Sequence, residues 1–312
     1  MKKVSICYLL FCLFSVSAFA QSKKSKNYVF SYFKGDSKDG LHLAYSNDGY
    51  HWTALKNGQS FLKPEVAADK LMRDPCIIRG GDGYFHMVWT VSWNDRGIGY
   101  AKSKDLINWS AQQFIPVMGH EENARNTWAP EITYDAKSKI YMIYWASTIK
   151  GLYPQTQSEK ENAYNHRIYY VTTRDFIRFS DTKLLYDPGF NVIDATIVKD
   201  GKFYFMFMKD ETVEPVTKDL KIAVSKKLDG PYTPASKPLS NHQWVEGPTV
   251  LRQDGEWLVY FDKYREKKYG AIKSKDLRVW EDVSDKISLP SCIRHGSILE
   301  VTPQELERLK RE

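Results

Sequence analysis

The chain has 312 residues, with 45 lysines and arginines, 38 aspartates and glutamates, and a formal net charge of +7. Its 27% charged and 42% hydrophobic residues are typical of a folded protein, which excludes a disordered chain and allows one large domain or two smaller ones. The positive charge is spread along the sequence, which argues against a nucleic-acid-binding protein, and the 9 Trp, 20 Tyr and 15 Phe suit both β-sheet packing and sugar rings.

The N-terminus has the pattern of an export signal. Two lysines precede an almost wholly apolar run, residues 4–14, and a small-x-small sequence ends at Ala20, as at a signal-peptidase site. The apolar run is too short to cross a membrane, and no second such run follows. We therefore predict a signal peptide over 1–20, a mature linker over 21–27 and an exported protein, periplasmic or extracellular, without a membrane span.

The rest of the sequence repeats two patterns, each five times. The first is a strand, a turn of the Ser/Thr-x-Asp kind and an aromatic residue that opens another strand. The second is a short strand opened by a polar residue. In four copies it is followed by a turn and an aromatic-rich strand. Where the turn is Asp-Gly, it favours a hairpin, because glycine accepts a positive φ. The first pattern covers residues 41–52, 99–109, 168–179, 220–232 and 270–280, and the second begins near Asp74, Glu131, Asp194, Glu246 and His295.

Four antiparallel strands repeated five times predict an all-β fold, a five-bladed β-propeller that occupies residues 28–312 as a single domain. The segment from Tyr28 supplies only the later strands of a blade, and residues 294–301 supply only a first strand. We therefore expect the two ends to complete one blade and close the ring, which removes exposed sheet edges. The alternative is an open β-sandwich. Helical periodicity is confined to a short tail, residues 302–312.

Polar residues at the start of the first strands are the candidate site. In a propeller these strands line the central axis, so we expect their entrance residues to occupy equivalent places and to converge on one pocket. A lone aspartate before proline often only starts a turn. Several carboxylates in one pocket repel one another and are costly to desolvate, but glycoside hydrolysis needs one carboxylic acid and one carboxylate. The five residues are Asp74, Glu131, Asp194, Glu246 and His295.

On these residues the chain resembles glycoside hydrolase family 43, a family of five-bladed propeller enzymes that act on arabinose- and xylose-containing polysaccharides. The resemblance extends over residues 28–301 and rests on an Asp-Pro at Asp74, an Ile-Asp at Asp194 and a Glu-Gly-Pro at Glu246. It implies that Asp74 is the general base, Asp194 a residue that orients the acid and tunes its pKa, and Glu246 the general acid.

The same resemblance implies further features of the site. The family inverts the anomeric carbon, so we expect the Asp74 and Glu246 carboxyls to stand roughly 6.5–9.5 Å apart, and the pKa of Glu246 to be raised by burial and by Asp194. Trp128-Ala-Pro-Glu131 matches a Trp-Ala-Pro-Asp element with Glu in place of Asp, which leaves the role of Glu131 open. His295 lies in a basic element that binds water or calcium in the family. No cofactor is expected to be required.

Three tryptophans near the acids are candidate sugar platforms: Trp93, Trp128 and Trp244. Inter-blade packing is the alternative for each. Together with Arg294, a candidate donor to sugar hydroxyls, and with Glu131 and His295, they make up the predicted substrate-binding set. Tryptophans at the repeated turn position are instead expected to pack between strands, namely Trp52, Trp109 and Trp280.

We therefore expect a monomeric inverting glycosidase that acts on plant polysaccharide or glycan side chains, an exo-acting α-L-arabinofuranosidase. A β-xylosidase, or an endo-1,4-β-xylanase or arabinanase, is the alternative within the family; a non-catalytic carbohydrate-binding propeller or a protein-interaction propeller is the alternative outside it. The long segment 147–165 is expected to wall the pocket. A disulfide between Cys76 and Cys292, on first strands that ring closure makes neighbours, is left open by the sequence.

Overall fold

A computed structural model describes residues 26–312, so the predicted signal peptide lies outside the described residues, as does most of the predicted linker. The linker's last residue, Asn27, is the first residue of a strand. No helix in the described part of the chain is long and apolar enough to cross a membrane.

The described residues form five antiparallel sheets arranged as a five-bladed β-propeller, which confirms the predicted fold. Blade 1 has strand order β19-β1-β2-β3, and blades 2 to 5 follow in chain order as β4 to β7, β8 to β11, β12 to β14 and β15 to β18. The strands are β1 Asn27–Phe33, β2 His42–Ser46, β3 Thr53–Ala54, β4 Arg73–Arg79, β5 Phe85–Thr90, β6 Ile98–Ser103, β7 Gln113–Ile115, β8 Trp128–Asp135, β9 Ile140–Ser147, β10 Arg167–Thr173, β11 Lys183–Tyr186, β12 Val192–Asp200, β13 Phe203–Asp210, β14 Asp219–Ser225, β15 Glu246–Gln253, β16 Glu256–Lys263, β17 Lys268–Ser274, β18 Glu281–Asp282 and β19 Arg294–Val301. Short 3-10 helices lie at Lys56–Gly58, Pro154–Thr156, Glu161–Ala163 and Ser284–Lys286, and the α-helix α1 is Pro303–Leu309.

The ring closes through blade 1, as predicted. The C-terminal strand β19 pairs antiparallel with β1, from Asn27 opposite Val301 to Ser31 opposite Ser297. Both strands thereby gain a hydrogen-bonded neighbour, and neither presents a free edge. The closed ring holds the first strands of all five blades around one axis.

The repeated turn has the same hydrogen bonds in successive blades. The Ser46 hydroxyl accepts from the Gly49 amide at 2.8 Å, and the Ser103 hydroxyl accepts from Leu106 at 2.9 Å. A hydroxyl or carboxylate that satisfies the amides of a turn replaces the hydrogen bonds lost where a strand ends. The turn tryptophans pack into the apolar layers between strands, as expected: Trp52 is buried, and Trp109 and Trp280 lie against core clusters.

Blade 4 departs from the predicted four strands, because its sheet has only β12, β13 and β14. The segment that runs along the outside of β14 still donates to it, from Thr233 to Val224 and from Ser236 to Ile222, both at 2.9 Å. Prolines recur in this segment, at 231, 234 and 238. Because proline has no amide hydrogen, the segment cannot form a regular ladder.

Each first strand carries an irregularity near its start. In β4, for example, the register with β5 shifts between Arg73 and Cys76, and equivalent shifts occur in β8, β12, β15 and at the β19–β1 pair. The shift adds an unpaired residue that turns a side chain toward the axis. Left-handed φ values accompany it at Asp74 (53°), Ala129 (45°), Asp194 (53°) and Gly247 (58°).

This register corrects the expectation that the five entrance residues are equivalent. In each first strand we number positions from the last paired residue before the register shift, which is position 1. Position 1 is occupied by Glu246, position 2 by Asp74, Asp194 and His295 in their strands, and position 4 by Glu131. The carboxylates therefore come from three different positions of the repeat.

Candidate active site

Asp74 lies at the start of β4 with both carboxylate oxygens occupied. The Thr90 hydroxyl donates to Oδ2 at 2.9 Å, and His295 Nδ1 lies 3.3 Å from Oδ1. Burial alone would raise the pKa of Asp74, but the hydrogen bond and charge of His295, with smaller contributions from Arg73 and Thr90, bring it below its ordinary value. Asp74 is therefore ionised, as a general base must be.

Asp194 lies on the other side of the same histidine. Its Oδ2 is 3.9 Å from His295 Nδ1 and accepts from the Gly247 amide at 2.9 Å. Burial raises the pKa of Asp194 to about 6; His295 lowers it and the neighbouring Glu246 raises it further. Gly247 is required here because its φ is +58° and a Cβ would lie 2.4 Å from the His295 ring.

Glu246, the predicted acid, lies between two cations. Lys209 Nζ is 3.2 Å from Oε2, and Arg294 donates to Oε1 at 2.9 Å. Arg294 Nε also donates to Asp262, the register partner of Glu246 on β16. Burial opposes ionisation, but Lys209 and Arg294 outweigh it and lower the pKa of Glu246. The expectation of a raised pKa for Glu246 is therefore wrong for the free protein, in which the raised value belongs to Asp194.

Glu131 lies deeper in the channel than the other carboxylates, three residues after the start of β8. Its Oε2 accepts from the Thr196 hydroxyl at 2.7 Å and from the Tyr144 hydroxyl at 3.3 Å. Burial raises the pKa of Glu131 to about 7, because its direct partners are neutral and His295 acts only at longer range. The predicted substrate-binding residue Glu131 is thus a buried carboxyl whose hydrogen bonds are made to the protein.

His295 is the positive centre of the group. Burial alone would lower its pKa, but Asp194 and Asp74 raise it to about 9, so the imidazole is protonated at neutral pH. No set of three or more His, Cys, Asp or Glu residues within 26–312 is arranged to hold a metal ion. The residues around His295 therefore do not fit the calcium ion that the resemblance raised.

Two of the predicted platforms belong to one pocket. Trp93 and Trp128 meet edge to face with ring centres 5.6 Å apart, the Trp128 indole donates to the Trp93 carbonyl at 3.0 Å, and Tyr164 lies 4.6 Å from Trp128. We call the space that Trp93, Trp128 and Tyr164 line the aromatic pocket; its volume is about 520 Å³. Tyr164 comes from segment 147–165, which was expected to wall the pocket. Trp93 is 46% exposed, which suits a platform better than packing.

The third predicted platform, Trp244, has a different environment. The guanidinium of Arg265 lies 3.0 Å from the centre of its ring and Lys218 Nζ lies 5.8 Å from it. Trp244 is not among the residues that line the aromatic pocket. Arg265 covers one face of the Trp244 indole, and the choice between sugar platform and packing for Trp244 stays a prediction.

Several residues of the site were not predicted from the sequence. Thr90, Lys209 and Asp262 lie on second strands, each opposite the first residue of the irregularity in its blade. Their signal was available, because each is a polar residue near the end of an aromatic-rich strand. Lys209 is 1% exposed and also pairs with Glu211 at 2.6 Å.

The two cysteines of the described chain are both free, so the disulfide left open above is not formed. Cys76 is buried on β4. Cys292 is exposed and precedes β19, so it does not lie on a first strand as expected.

Carboxylates that converge on a propeller axis beside an aromatic pocket match what glycoside hydrolysis requires, an acid and a carboxylate near a sugar. The family model for a "Probable glycosyl hydrolase domain" related to family 43 matches residues 23–307. The chain therefore belongs to this glycosyl hydrolase family, which confirms the resemblance read from the sequence and the enzyme class.

The chain is also similar to individual proteins, in sequence or in fold. The chain is 27% identical to an α-L-arabinofuranosidase of Bifidobacterium longum subsp. longum over 89% of its own length, and it spans 29% of that relative's length. A thermostable family-43 glycoside hydrolase has a similar fold, with a TM-score of 0.54 and 17% identity over 72% of this chain and 78% of that one. An exo-β-1,3-galactanase of Phanerochaete chrysosporium also has a similar fold, with a TM-score of 0.52 and 13% identity over 67% of this chain and 49% of that one.

Proposed function

We propose that the protein is a secreted, inverting, exo-acting α-L-arabinofuranosidase that removes side chains from plant polysaccharides or glycans. The observation that carries the hydrolytic part is the convergence of Asp74 and Asp194 on His295, with Glu246 next to Asp194. The choice of arabinofuranose rests on the name of the Bifidobacterium relative, at 27% identity. The exo-β-1,3-galactanase of similar fold makes galactosides a necessary part of any substrate test.

In this proposal Asp74 takes the proton of the attacking water. Its lowered pKa keeps it ionised, and the bonds from Thr90 and His295 fix the carboxylate in one orientation. Inversion needs room for a water between base and sugar, so we predict a separation of roughly 6.5–9.5 Å between the Asp74 and Glu246 carboxyls.

Glu246 gives its proton to the leaving oxygen, with Asp194 as the group that controls it. The two carboxyls interact directly, and the Gly247 amide next to Glu246 donates to Asp194. Interacting carboxyls titrate as a pair. Because the pKa of Asp194 is about 6, we expect the Asp194–Glu246 pair to lose its shared proton near pH 6. We therefore expect a mildly acidic pH optimum.

An exo action is supported by the shape of the site. Segment 147–165 contributes Glu161, Asn162 and Tyr164 to the wall of the aromatic pocket. A wall on this side favours a chain end over a continuous polysaccharide. β-Xylosidase, endo-xylanase or arabinanase, and a non-catalytic sugar-binding propeller are the other outcomes that the substrate test distinguishes.

The test is a panel of chromogenic α-L-arabinofuranosides, β-D-xylosides and β-D-galactosides. It is run on wild type, on Glu246→Ala and on the control Glu300→Ala, which removes an exposed carboxylate near the end of β19. The proposal expects arabinofuranoside hydrolysis that Glu246→Ala abolishes and the control retains. Equal hydrolysis by Glu246→Ala would refute the acid assignment. Binding of sugars without hydrolysis of any glycoside would identify a binding module.

We also propose that the enzyme acts outside the cytoplasm as a monomer. The support for export is the N-terminal sequence, a basic start followed by residues 4–14 and a small-x-small site. Cell fractionation with N-terminal sequencing of the secreted form should give Gln21 as the first residue. A full-length product that stays in the cytoplasm would contradict export, and light scattering gives the oligomeric state.

A further inference from the structure

The floor of the aromatic pocket contains a buried histidine that the proposed chemistry does not use. His166 directly precedes β10, is 1% exposed and lies against two rings of the pocket. Its ring is nearly parallel to that of Tyr164, at 5.3 Å and 10°, and its centre is 5.1 Å from Trp128. Buried polar groups are normally hydrogen-bonded, so each ring nitrogen of this imidazole should have a partner.

The hydrogen bonds around His166 determine its tautomer. The backbone amide of His166 can only donate, and it points at Asn191 Oδ1 at 2.7 Å, while Asn191 Nδ2 donates to the Tyr164 carbonyl at 3.1 Å. The amide of Asn191 is therefore oriented unambiguously. His166 Nδ1 lies 3.0 Å from the same Oδ1 and must carry the hydrogen. Nε2 is then a bare acceptor.

This acceptor is not satisfied by the protein. Nε2 of His166 has no hydrogen-bond partner within residues 26–312. Burial, opposed only by the bond to Asn191 and reinforced by nearby cations, lowers the pKa of His166 to about 3, so the ring is neutral at working pH. A buried acceptor without a donor costs free energy, which a bound hydroxyl group would recover.

The other polar groups of the pocket include acceptors, beside the side-chain amides of Asn94, Asn162 and Asn191, which both donate and accept. Glu161 and Glu211 contribute carboxylates to its lining, and no lysine or arginine is among the described residues that line it. Both carboxylates form ion pairs with Lys218, whose Nζ lies 2.5 Å from Glu161 Oε2 and 2.7 Å from Glu211 Oε1. Aromatic faces combined with acceptors fit a neutral sugar, which has apolar ring faces and donating hydroxyls. They disfavour a uronate, because its carboxylate has no hydrogen to donate to Glu161, Glu211 or His166 Nε2.

The pocket adjoins the carboxylates of the proposed reaction. The residue after Trp128, Ala129, donates to the Thr90 hydroxyl at 2.8 Å, and that hydroxyl donates to Asp74. On the other side Glu211 pairs with Lys209, which contacts Glu246. A sugar in the aromatic pocket therefore lies beside the reacting centre.

We propose that the aromatic pocket binds a neutral sugar residue of the substrate, with His166 Nε2 accepting a hydrogen bond from one of its hydroxyls. The inference rests on the proposed glycosidase function, because it assigns the pocket to the substrate of that site. It makes His166 a specificity-determining residue that selects a hydroxyl and rejects a carboxylate.

The direct test is nitrogen-15 NMR of the imidazoles in wild-type protein, with His166 assigned by comparison with His166→Phe. The proposal expects the Nδ1–H tautomer throughout the neutral range. It also expects the Nε2 resonance to move when L-arabinose, D-xylose or D-galactose is added, and to stay in place with D-galacturonate. An Nε2–H tautomer, or an Nε2 resonance that no neutral sugar moves, would overturn it.

The kinetic test compares His166→Phe with His86→Phe on the best glycoside of the panel. His86 is equally buried, but both of its ring nitrogens have partners within the protein, Tyr100 and Asp82. Loss of one ground-state hydrogen bond should raise KM about tenfold in His166→Phe with kcat nearly unchanged, and His86→Phe should keep the wild-type KM. An unchanged KM in folded His166→Phe would refute the assignment.

The two proposals fail separately. If no glycoside is cleaved but a neutral sugar moves the Nε2 resonance, the glycosidase function fails and the pocket assignment stands. If a glycoside is cleaved and the released sugar leaves Nε2 unmoved, only the pocket assignment fails.

Discussion

The central channel holds buried carboxyls in two environments, and their difference lies in the charge of their partners. Around the mouth, Asp74 and Glu246 face His295, Lys209 or Arg294, and both have lowered pKa values. Deeper in, Glu131 contacts the hydroxyls of Thr196 and Tyr144 directly, and its pKa rises to about 7. Burial acts on all three in the same direction. The comparison teaches that nearby cations, supplied by other blades, decide which carboxyl is ionised.

The largest expected effect is on catalysis at the mouth. Glu246→Gln should lower kcat by about 10²–10⁴-fold on glycosides with poor leaving groups, because the general acid is lost. Glycosides with highly acidic leaving groups need little proton donation and should be affected much less. Asp74→Asn should impair both kinds equally, since the base is needed in either case. Equal losses with both leaving groups in Glu246→Gln would break the assignment of acid and base.

The next effect tests the cations themselves. Lys209→Met removes a charge that favours the ionised form of Glu246, so the pKa of Glu246 should rise. The basic limb of the pH profile of kcat/KM, which reports loss of the acid's proton, should then move up by about one unit or more. The control is Lys199→Met, which removes a half-exposed lysine near the C-terminal end of β12. An unmoved limb in a folded Lys209→Met protein would show that Lys209 is only structural.

The deeper carboxyl should affect stability. Glu131 has a folded pKa of about 7, above its ordinary 4.5, so the folded state binds more protons than the unfolded state between these values. The contribution of Glu131 to stability should therefore fall as pH rises from 4.5 to 7, by up to about 3 kcal/mol. Glu131→Gln should make the slope measured by urea denaturation between pH 5 and 8 shallower by this share, while the raised pKa of Asp194, about 6, keeps part of it. The control Glu300→Gln should keep it, and an unchanged slope in Glu131→Gln would assign it elsewhere.

The smallest effect concerns His295. Its pKa is raised to about 9, so the stabilisation it provides is complete below its ordinary pKa of 6.5 and is lost as pH rises through 9. NMR titration should show the imidazolium up to that range. Asp74→Asn should lower the midpoint, because one of the two flanking carboxylates is gone. A His295 midpoint near 6.5 in wild type would remove the positive centre from the channel mouth.

Much of the fold was predictable because its signals are local. Alternating strands and hydroxyl-led turns such as that at Ser46 recur from blade to blade, Asp-Gly hairpins occur in three of the blades, and the number of repeats gave five blades. The partial blades at the two ends gave the ring closure between β1 and β19. Blade 4 was over-predicted, because Pro231 at the end of the repeated pattern and Pro234 and Pro238 beyond it break its outer strand.

The site was predictable only in part. Asp74, Asp194 and Glu246 could be proposed because motifs at their positions resemble those of a known family. Their equivalence could not be judged, because one extra residue in a strand changes which side chain faces the axis. The ionisation of Glu246 was mispredicted for a similar reason: Lys209 is 37 residues away in sequence, and its distance from the carboxylate depends on how two blades pack.

The sequence by itself determined the architecture and the residue types that converge on the axis, because strand alternation, turn chemistry and motif order are properties of neighbouring residues. Only the tertiary structure decided which carboxyls have cationic partners, that Trp93 and Trp128 share a pocket while Trp244 is covered by Arg265, and that His166 presents an unpaired acceptor. Those outcomes depend on Coulombic interactions and hydrogen bonds over a few ångströms between side chains that lie tens to hundreds of residues apart in the sequence.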